Sequence, residues 1–387
     1  MADRAPGELT PAGLVCPQRT GTASEKWERW AGRDVLPMWV ADMDVQAPPC
    51  VLDALRARLD HGVLGYARTM PSFATSLAGW LRRRHGWEID PAWVVATPGM
   101  VVAMNQAARV LGEPGADGLV MTPIYPPFLR APGHAGRRCV QVPLTADAGI
   151  DWQALEAAAD GPGRVLWLCS PHNPTGRVWS LAELQRLADL VVRRDLHVVS
   201  DEAWMDLVLE PGVRHIPFAS LSPALAARTI TIVAPSKTFN IPGLSCAATI
   251  IADQRLRDAY RHADQGLVPW PNALGTIACE AAWSHGDAWL DALLPALRRN
   301  RDRVHAAVNA LPGLASALPQ ATYLTWIDCR ARGWDDPAAV FERAGLGLSD
   351  GRPFAGPGFA RLNFACPDAL LDEGLRRLGA AALSASS

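Results

Sequence analysis

The sequence predicts an α/β protein built on a mostly parallel sheet. Short β-branched or apolar runs alternate with helical periodicity from residue 93 onward. Several of these runs are apolar without alternation, as strands covered on both faces are. Loops rich in Gly, Pro, Asn and Asp follow their C-terminal ends, the edge where such sheets gather ligands. Strands alternating with helices imply parallel neighbours joined by right-handed crossovers.

Taken in order, residues 1 to about 45 lack periodicity but carry Trp27, Trp30 and the run Pro37-Met38-Trp39-Val40-Ala41-Asp42-Met43-Asp44. That is too apolar for a disordered tail and predicts an arm packed on the body. Helical spacing over 49–60 puts Val51, Leu52, Leu55 and Leu59 on one face. The glycine-punctuated loop His61-Gly62-Val63-Leu64-Gly65-Tyr66 leads to a helix over 72–84 that stops at His85-Gly86. Strands are predicted over 93–97, 119–122, 139–144, 165–170, 197–200, 229–233 and 247–251. Pro98-Gly99-Met100-Val101 turns into a helix reaching about Leu111, and Pro123-Ile124-Tyr125-Pro126-Pro127-Phe128 follows the second strand. A helix over 180–194 opens on a Ser180/Glu183 capping box. From about Pro271 the chain turns helical to Leu311, and its long segment over 288–310 reads as a connector to a second unit. That unit has strands over 323–327 and 360–364, a helix over 337–344 and a closing helix from Pro367, with an Ala-rich tail from Gly379 expected to fray.

Composition excludes several functions. With 387 residues, 49% hydrophobic and 20% charged, the chain reads as an ordinary soluble globular protein. A net charge of −2 provides no electrostatic footprint for nucleic acid or an anionic membrane. No apolar run approaches a bilayer span, and Met1-Ala2-Asp3-Arg4-Ala5-Pro6-Gly7 has no signal core, so export is not expected. The eight scattered cysteines form no Cys-x-x-Cys pair, and His-Glu-x-x-His is absent. Neither a metal nor a disulfide framework is expected, and a reducing cytoplasm fits. Fifteen tryptophans against four tyrosines leave few phenols for chemistry.

Four loops at predicted strand ends offer complementary groups. Gly99-Met100, at a helix start, offers amide N–H groups and a positive dipole end, an anion seat worth about 0.3–1 kcal/mol from the dipole alone. Asn173, in Asn-Pro-Thr-Gly, offers an amide donor on a turn. Asp201 is an acid ending an apolar strand, where an unpaired charge is costly. Lys237, in Ala234-Pro235-Ser236-Lys237-Thr238-Phe239-Asn240, is an amine leaving a buried strand for a cleft, where its pKa can fall. Alone, a Ser-Lys pair reads more readily as a solvated loop. Together, a phosphate seat, a donor, a buried acid and an amine suit pyridoxal phosphate, the acid keeping the pyridine nitrogen protonated.

These residues also resemble the fold-type I aminotransferase superfamily over nearly the whole chain, and within it the MalY/PatB group of cystathionine β-lyase-like C–S lyases. The likeness rests on the 37–44 and 61–66 runs, Ser170-Pro171-His172-Asn173-Pro174-Thr175-Gly176, Ser200-Asp201-Glu202, Ser236-Lys237-Thr238-Phe239-Asn240 and Arg361-Leu362-Asn363-Phe364-Ala365-Cys366-Pro367, in that order. The resemblance implies an aspartate aminotransferase-like fold: an N-terminal arm over 1–45, a large domain over 46–285 with a mostly parallel seven-stranded sheet, and a smaller α/β domain over 286–387. It implies that the arm packs on the smaller domain and the active site, that Lys237 carries the cofactor and moves protons, Asp201 pairs with the ring nitrogen, Asn173 donates to the ring hydroxyl and Tyr125 stacks on the ring. Gly99 and Met100 would bind phosphate through their amides. Tyr66 would reach the neighbouring subunit's phosphate, which implies a homodimer. Arg361 would clamp the substrate carboxylate with its planar fork, and Ala41 and Asn173 would line the substrate side. His172, a tempting base, is expected to be structural.

Two positions depart from the family pattern. Trp204 stands where a His or Tyr is usual, which alters the donor beside the ring oxygen. Ala234 stands where a serine is common, which leaves Ser236 to supply that phosphate contact. The implied reaction is β-elimination from an L-cysteine S-conjugate such as cystathionine, giving a thiol, pyruvate and ammonia. Transamination, an oxygen-consuming decarboxylation and deamination, and a non-catalytic regulatory role stay open.

Overall fold

The computed structural model describes residues 14–112, 115–161, 163–263, 266 and 268–384. The chain start, from which no export is expected, and the first part of the arm lie outside the described residues.

One sheet organises the molecule. Its strands are β1 (Val94–Thr97), β2 (Asp117–Thr122), β3 (Cys139–Pro143), β4 (Gly163–Cys169), β5 (His197–Asp201), β6 (Thr229–Val233) and β7 (Ala247–Ile250), in the order β1-β7-β6-β5-β4-β2-β3. β7 pairs antiparallel with β1 and with β6, and every other pair is parallel. Six strands therefore point the same way and deliver their C-terminal ends to one edge. β2, β6 and β7 are buried at every residue, because helices cover both faces. Alternate residues separate the two layers. Val120, Trp167, Val199 and Ile230 pack with Met104 and Phe128, whereas Leu119, Leu166, Leu168 and Val198 pack with Leu184 and Leu187.

Helices run where the apolar spacing predicts them, over Pro49–Asp60, Pro71–His85, Met100–Val110 and Leu181–Arg193. Gly86 caps the second in the left-handed region at φ 63°, and the Ser180/Glu183 capping box is present in both directions. Other helices begin where sequence periodicity is too short to be seen. Pro126 starts a helix to His134 in the proline-rich segment after β2, and Asp151 caps Trp152–Ala159.

Beyond the helices Ala273–His285 and Asp287–Asn309, a second sheet joins β8 (Leu324–Asp328), β9 (Phe359–Asn363) and Ser349–Asp350, all antiparallel. The arm is tied to this part of the chain, for Leu36–Pro37 pairs in parallel with Leu346–Gly347. The tail corrects one expectation. Instead of fraying from Gly379, helix Asp368–Ser384 continues, because Leu378, Ala381 and Ala382 are buried in the core. Small side chains there let the last turns pack closely.

Candidate active site

A cavity of about 370 Å3 opens at the C-terminal edge of the large sheet, a volume within the ~300–1,000 Å3 usual for small-molecule sites. It brings together Lys237 and Ser236 after β6, Asp201 and Trp204 after β5, Asn173 after β4, Tyr125 after β2, Gly99 and Met100 after β1, Arg361 from β9 and Ala41 from the arm. Tyr66 alone among the expected residues is outside it. Its side chain is fully exposed on the loop between two helices.

Lys237 follows a strand with no exposed residue, so its side chain enters the cavity from a dry base. The half-buried amine donates to the Ala41 carbonyl at 2.8 Å and lies 5.7 Å from the Trp204 ring centroid. Burial, and then the Arg361 charge, lower its pKa to about 8, against the opposing pull of Asp42 and Asp201. About a tenth of the amine is thus neutral at pH 7, against less than a thousandth for an unperturbed lysine, which serves a base or nucleophile.

Asp201 is buried, and burial raises its pKa to about 6. Its Oδ1 accepts from the Ala203 N–H at 3.0 Å, while Oδ2 has no protein partner among the described residues. Arg361 is also buried. It donates to Asn173 Oδ1 at 3.1 Å and to the Trp39 carbonyl at 3.1 Å, and its guanidinium lies 4.6 Å from the Phe354 centroid. No carboxylate pairs with it among the described residues. Burial lowers its pKa to about 10, so it remains a cation available to an incoming anion. Tyr125 is tied to the same group, its N–H donating to the Asn173 carbonyl at 3.0 Å. Burial and the Asp201 charge raise its phenol pKa, which keeps it a neutral aromatic wall.

The helix Met100–Val110 aims its first turn at the cavity. Gly99 enters it at φ 108°, and a Cβ there would meet nothing within 4 Å, so backbone angle alone calls for glycine. The Gly99 N–H donates back to the Thr97 carbonyl at 2.8 Å. The open amides are therefore those of Met100, Val101 and Val102, all lining the cavity and all without a backbone acceptor among the described residues. That is an anion seat.

Trp204 is buried and meets Tyr323 edge-on, with centroids 4.8 Å apart at 73°. It faces the lysine with its ring. His172 sits behind the cavity wall against Trp179, its Nε2–H donating to the Pro123 carbonyl at 2.8 Å, and burial lowers its pKa to about 4. It is a structural, neutral histidine.

Sequence reasoning misses the residues that hold this arrangement. The Tyr323 hydroxyl donates to the Ala41 carbonyl at 3.0 Å, the same oxygen that receives Lys237. Asn240 bonds Met43 and Val45, and Asn363 bonds the Val40 and Asp42 carbonyls, so the arm is clamped on both sides of Ala41. Both asparagines lie inside motifs noted above, and the scarcity of tyrosine is the signal that singles out Tyr323.

Comparison with known proteins agrees with this geometry. The family model described as "Aminotransferase class I and II" matches residues 33–378. The chain is 39% identical to cystathionine beta-lyase PatB of Bacillus subtilis (strain 168), covering 94% of this chain and 98% of PatB. Among solved structures it is similar to OvoB, with a TM-score of 0.92 and 44% identity over 95% of this chain and 98% of that one. It is also similar to cystalysin from Treponema denticola, whose crystal structure contains pyridoxal 5'-phosphate, with a TM-score of 0.91 and 33% identity over 98% of this chain and 99% of that one. With a strand-end lysine, a buried acid, an amide anion seat and an unpaired arginine in one cavity, and a family match across most of its length, this chain belongs to the aminotransferase class I and II family.

Proposed function

We propose that this chain is a pyridoxal phosphate-dependent carbon–sulfur β-lyase that releases a thiol, pyruvate and ammonia from an L-cysteine S-conjugate. The names of PatB and the cofactor of cystalysin support this direction. The observation in this chain that carries it is one cavity holding both Lys237, with its pKa lowered to about 8, and the buried, unpaired Arg361.

The residues present fit the cofactor. Met100, Val101 and Val102 leave three amides open for a phosphate. Asp201 leaves one oxygen for a ring N–H, Tyr125 and Trp204 supply apolar walls, and Lys237 supplies the amine. When bound, pyridoxal phosphate supplies an electron sink that acidifies the substrate Cα–H bond. Arg361 would hold the α-carboxylate with two N–H groups and so fix which bond at Cα faces the amine. Lys237, in its neutral form, removes the Cα proton. The Cβ–S bond breaks with its electron pair on sulfur, and the protonated amine lies within the same cavity to protonate it. One water is consumed overall, and the carbon skeleton leaves as pyruvate with ammonium.

The active unit in this reading is a homodimer. Val63, Leu64, Tyr66, Met70 and Trp270 are large apolar side chains left exposed, and Met70 and Trp270 line one shared recess, which suits a second copy as cover. Tyr66 would then reach the partner's site. No helix among the described residues is long and apolar enough to cross a membrane. A cytoplasmic location is supported by the seven free thiols from Cys50 onward.

Incubation with L-cystathionine tests the reaction. Free thiol, pyruvate and ammonia are expected. A keto acid that keeps its sulfur, without ammonia, would instead identify a transaminase, and oxygen uptake with CO2 release would identify oxidative chemistry.

A further inference from the structure

The cavity does not end at Arg361. A second recess of about 520 Å3 lies between the arm and the segment 336–354, and it shares Val40, Tyr125 and Arg361 with the first. Three carboxylates line it, and each already has a guanidinium. Arg352 pairs with Asp336 at 2.5 Å and Asp350 at 2.7 Å, and Arg33 pairs with Glu342 at 2.8 Å. Two lining guanidiniums have no carboxylate among the described residues. One is Arg361. The other is Arg29, exposed at the mouth.

Arg29 is seated rather than loose. Its guanidinium carbon lies 4.3 Å from the Trp39 centroid and 5.0 Å from that of Trp30, and the two rings meet edge-on at 6.1 Å. Trp30 is buried against Gly347, where a Cβ would come within 2.3 Å of its ring. Trp39 links the two cations, for its ring carries Arg29 and its backbone carbonyl accepts from Arg361 at 3.1 Å. A ligand reaching from Arg361 across Tyr125 into this recess meets a second unpaired positive charge.

We propose that this recess receives the sulfur-borne group of the substrate and that Arg29 selects groups ending in a carboxylate. The proposal rests on the β-lyase reading above. Arg361 takes the carboxylate at Cα, and Arg29 takes one at the far end of the sulfur substituent, such as the one cystathionine carries. A carboxylate there gains a charge-assisted contact from a planar fork already oriented by its tryptophan seat.

The test compares two substrates of similar length, S-(2-carboxyethyl)-L-cysteine and S-propyl-L-cysteine, by thiol release from the cofactor-loaded protein. The quantity read is the ratio of their kcat/KM values, in which the shared contact to Arg361 cancels. The ratio should favour the carboxylate and fall on the order of tenfold in Arg29→Gln, chiefly through KM, the modest end for a charged contact because Arg29 is exposed. Arg29→Lys should recover part of it. In the unaltered protein the ratio should also fall as ionic strength rises from about 0.01 to about 1 M, where the Debye length shrinks from about 30 to about 3 Å. That series decides the matter even if Arg29→Gln does not fold. A ratio that favours the propyl substrate, or that is insensitive to salt or to Arg29→Gln, overturns the proposal while leaving the β-lyase reading intact. No thiol from either substrate overturns both.

Discussion

Asp201 is a carboxylate that the cofactor-free fold accommodates at a cost. Its pKa stands at about 6 against an ordinary 3.8, because burial disfavours the charge. Above pH 6 the group is ionised in both folded and unfolded chains, and the folded state carries the full penalty. Toward pH 4 the folded form takes up the proton first and the penalty disappears. Asp201→Asn should therefore stabilise the cofactor-free protein at pH 7.5 by about 1–3 kcal/mol and leave it unchanged near pH 4, as urea denaturation at the two pH values would show. Activity should fall by more than about a hundredfold, because the acid proposed to pair with the cofactor's ring nitrogen is lost. Lys237 has the opposite logic. Its pKa is lowered to about 8, so the neutral base grows as pH rises through 8. The rate should climb from about pH 6.5 and level off above about 9, read from a kcat profile of thiol release. Lys237, Asp201 and Asn173 are legible in the sequence because each ends or follows an apolar run, whereas Arg361, in the middle of its strand, is legible only through the family resemblance. Tyr323 is not, for its partner Ala41 lies 282 residues away.

At the scale of elements, the arm is the part on which the site depends. Asp44 is its anchor, accepting from Lys26 at 2.6 Å, Arg19 at 2.8 Å and Trp27 at 2.9 Å, with Lys26 itself fully buried. Burial opposes the Asp44 charge, but Lys26, Trp27 and Arg19 outweigh it and hold the carboxyl below its ordinary range. Asp44→Ala strands a buried ammonium and should cost about 3–5 kcal/mol of stability by denaturant melting. Asn240→Gly keeps the positive φ of 54° but removes three hydrogen bonds to Met43 and Val45. It should cost about 2–4 kcal/mol and lower kcat as well, because the Ala41 carbonyl that receives Lys237 shifts with the arm. The sequence announces strand β6 with the limits the structure has, since Thr229 to Val233 is β-branched throughout. It conceals helix Pro126–His134, whose nine residues are too few to show a clear period, although proline suits a first helical turn. The arm's pairing with Leu346–Gly347 is hidden too, because two residues on each side make no pattern.

For the whole molecule, the alternation of strands and helices was enough to predict a parallel sheet with its ligands at one edge, and the reversed β7 is the detail that alternation cannot show. The exposed residues Leu64 and Trp270 predict a dimer, and Trp270→Asp should weaken it, read as a shift toward monomer in sedimentation with a parallel loss of thiol release. The central claim is that Lys237 takes the Cα proton and that the Cβ–S bond then breaks. The most direct measurement is the stoichiometry of thiol and pyruvate formed from S-ethyl-L-cysteine by the cofactor-loaded protein and by Lys237→Ala. One thiol per pyruvate is expected from the unaltered protein, with a loss of more than about a thousandfold in Lys237→Ala. A keto acid that retains its sulfur, or undiminished turnover in Lys237→Ala, would contradict it.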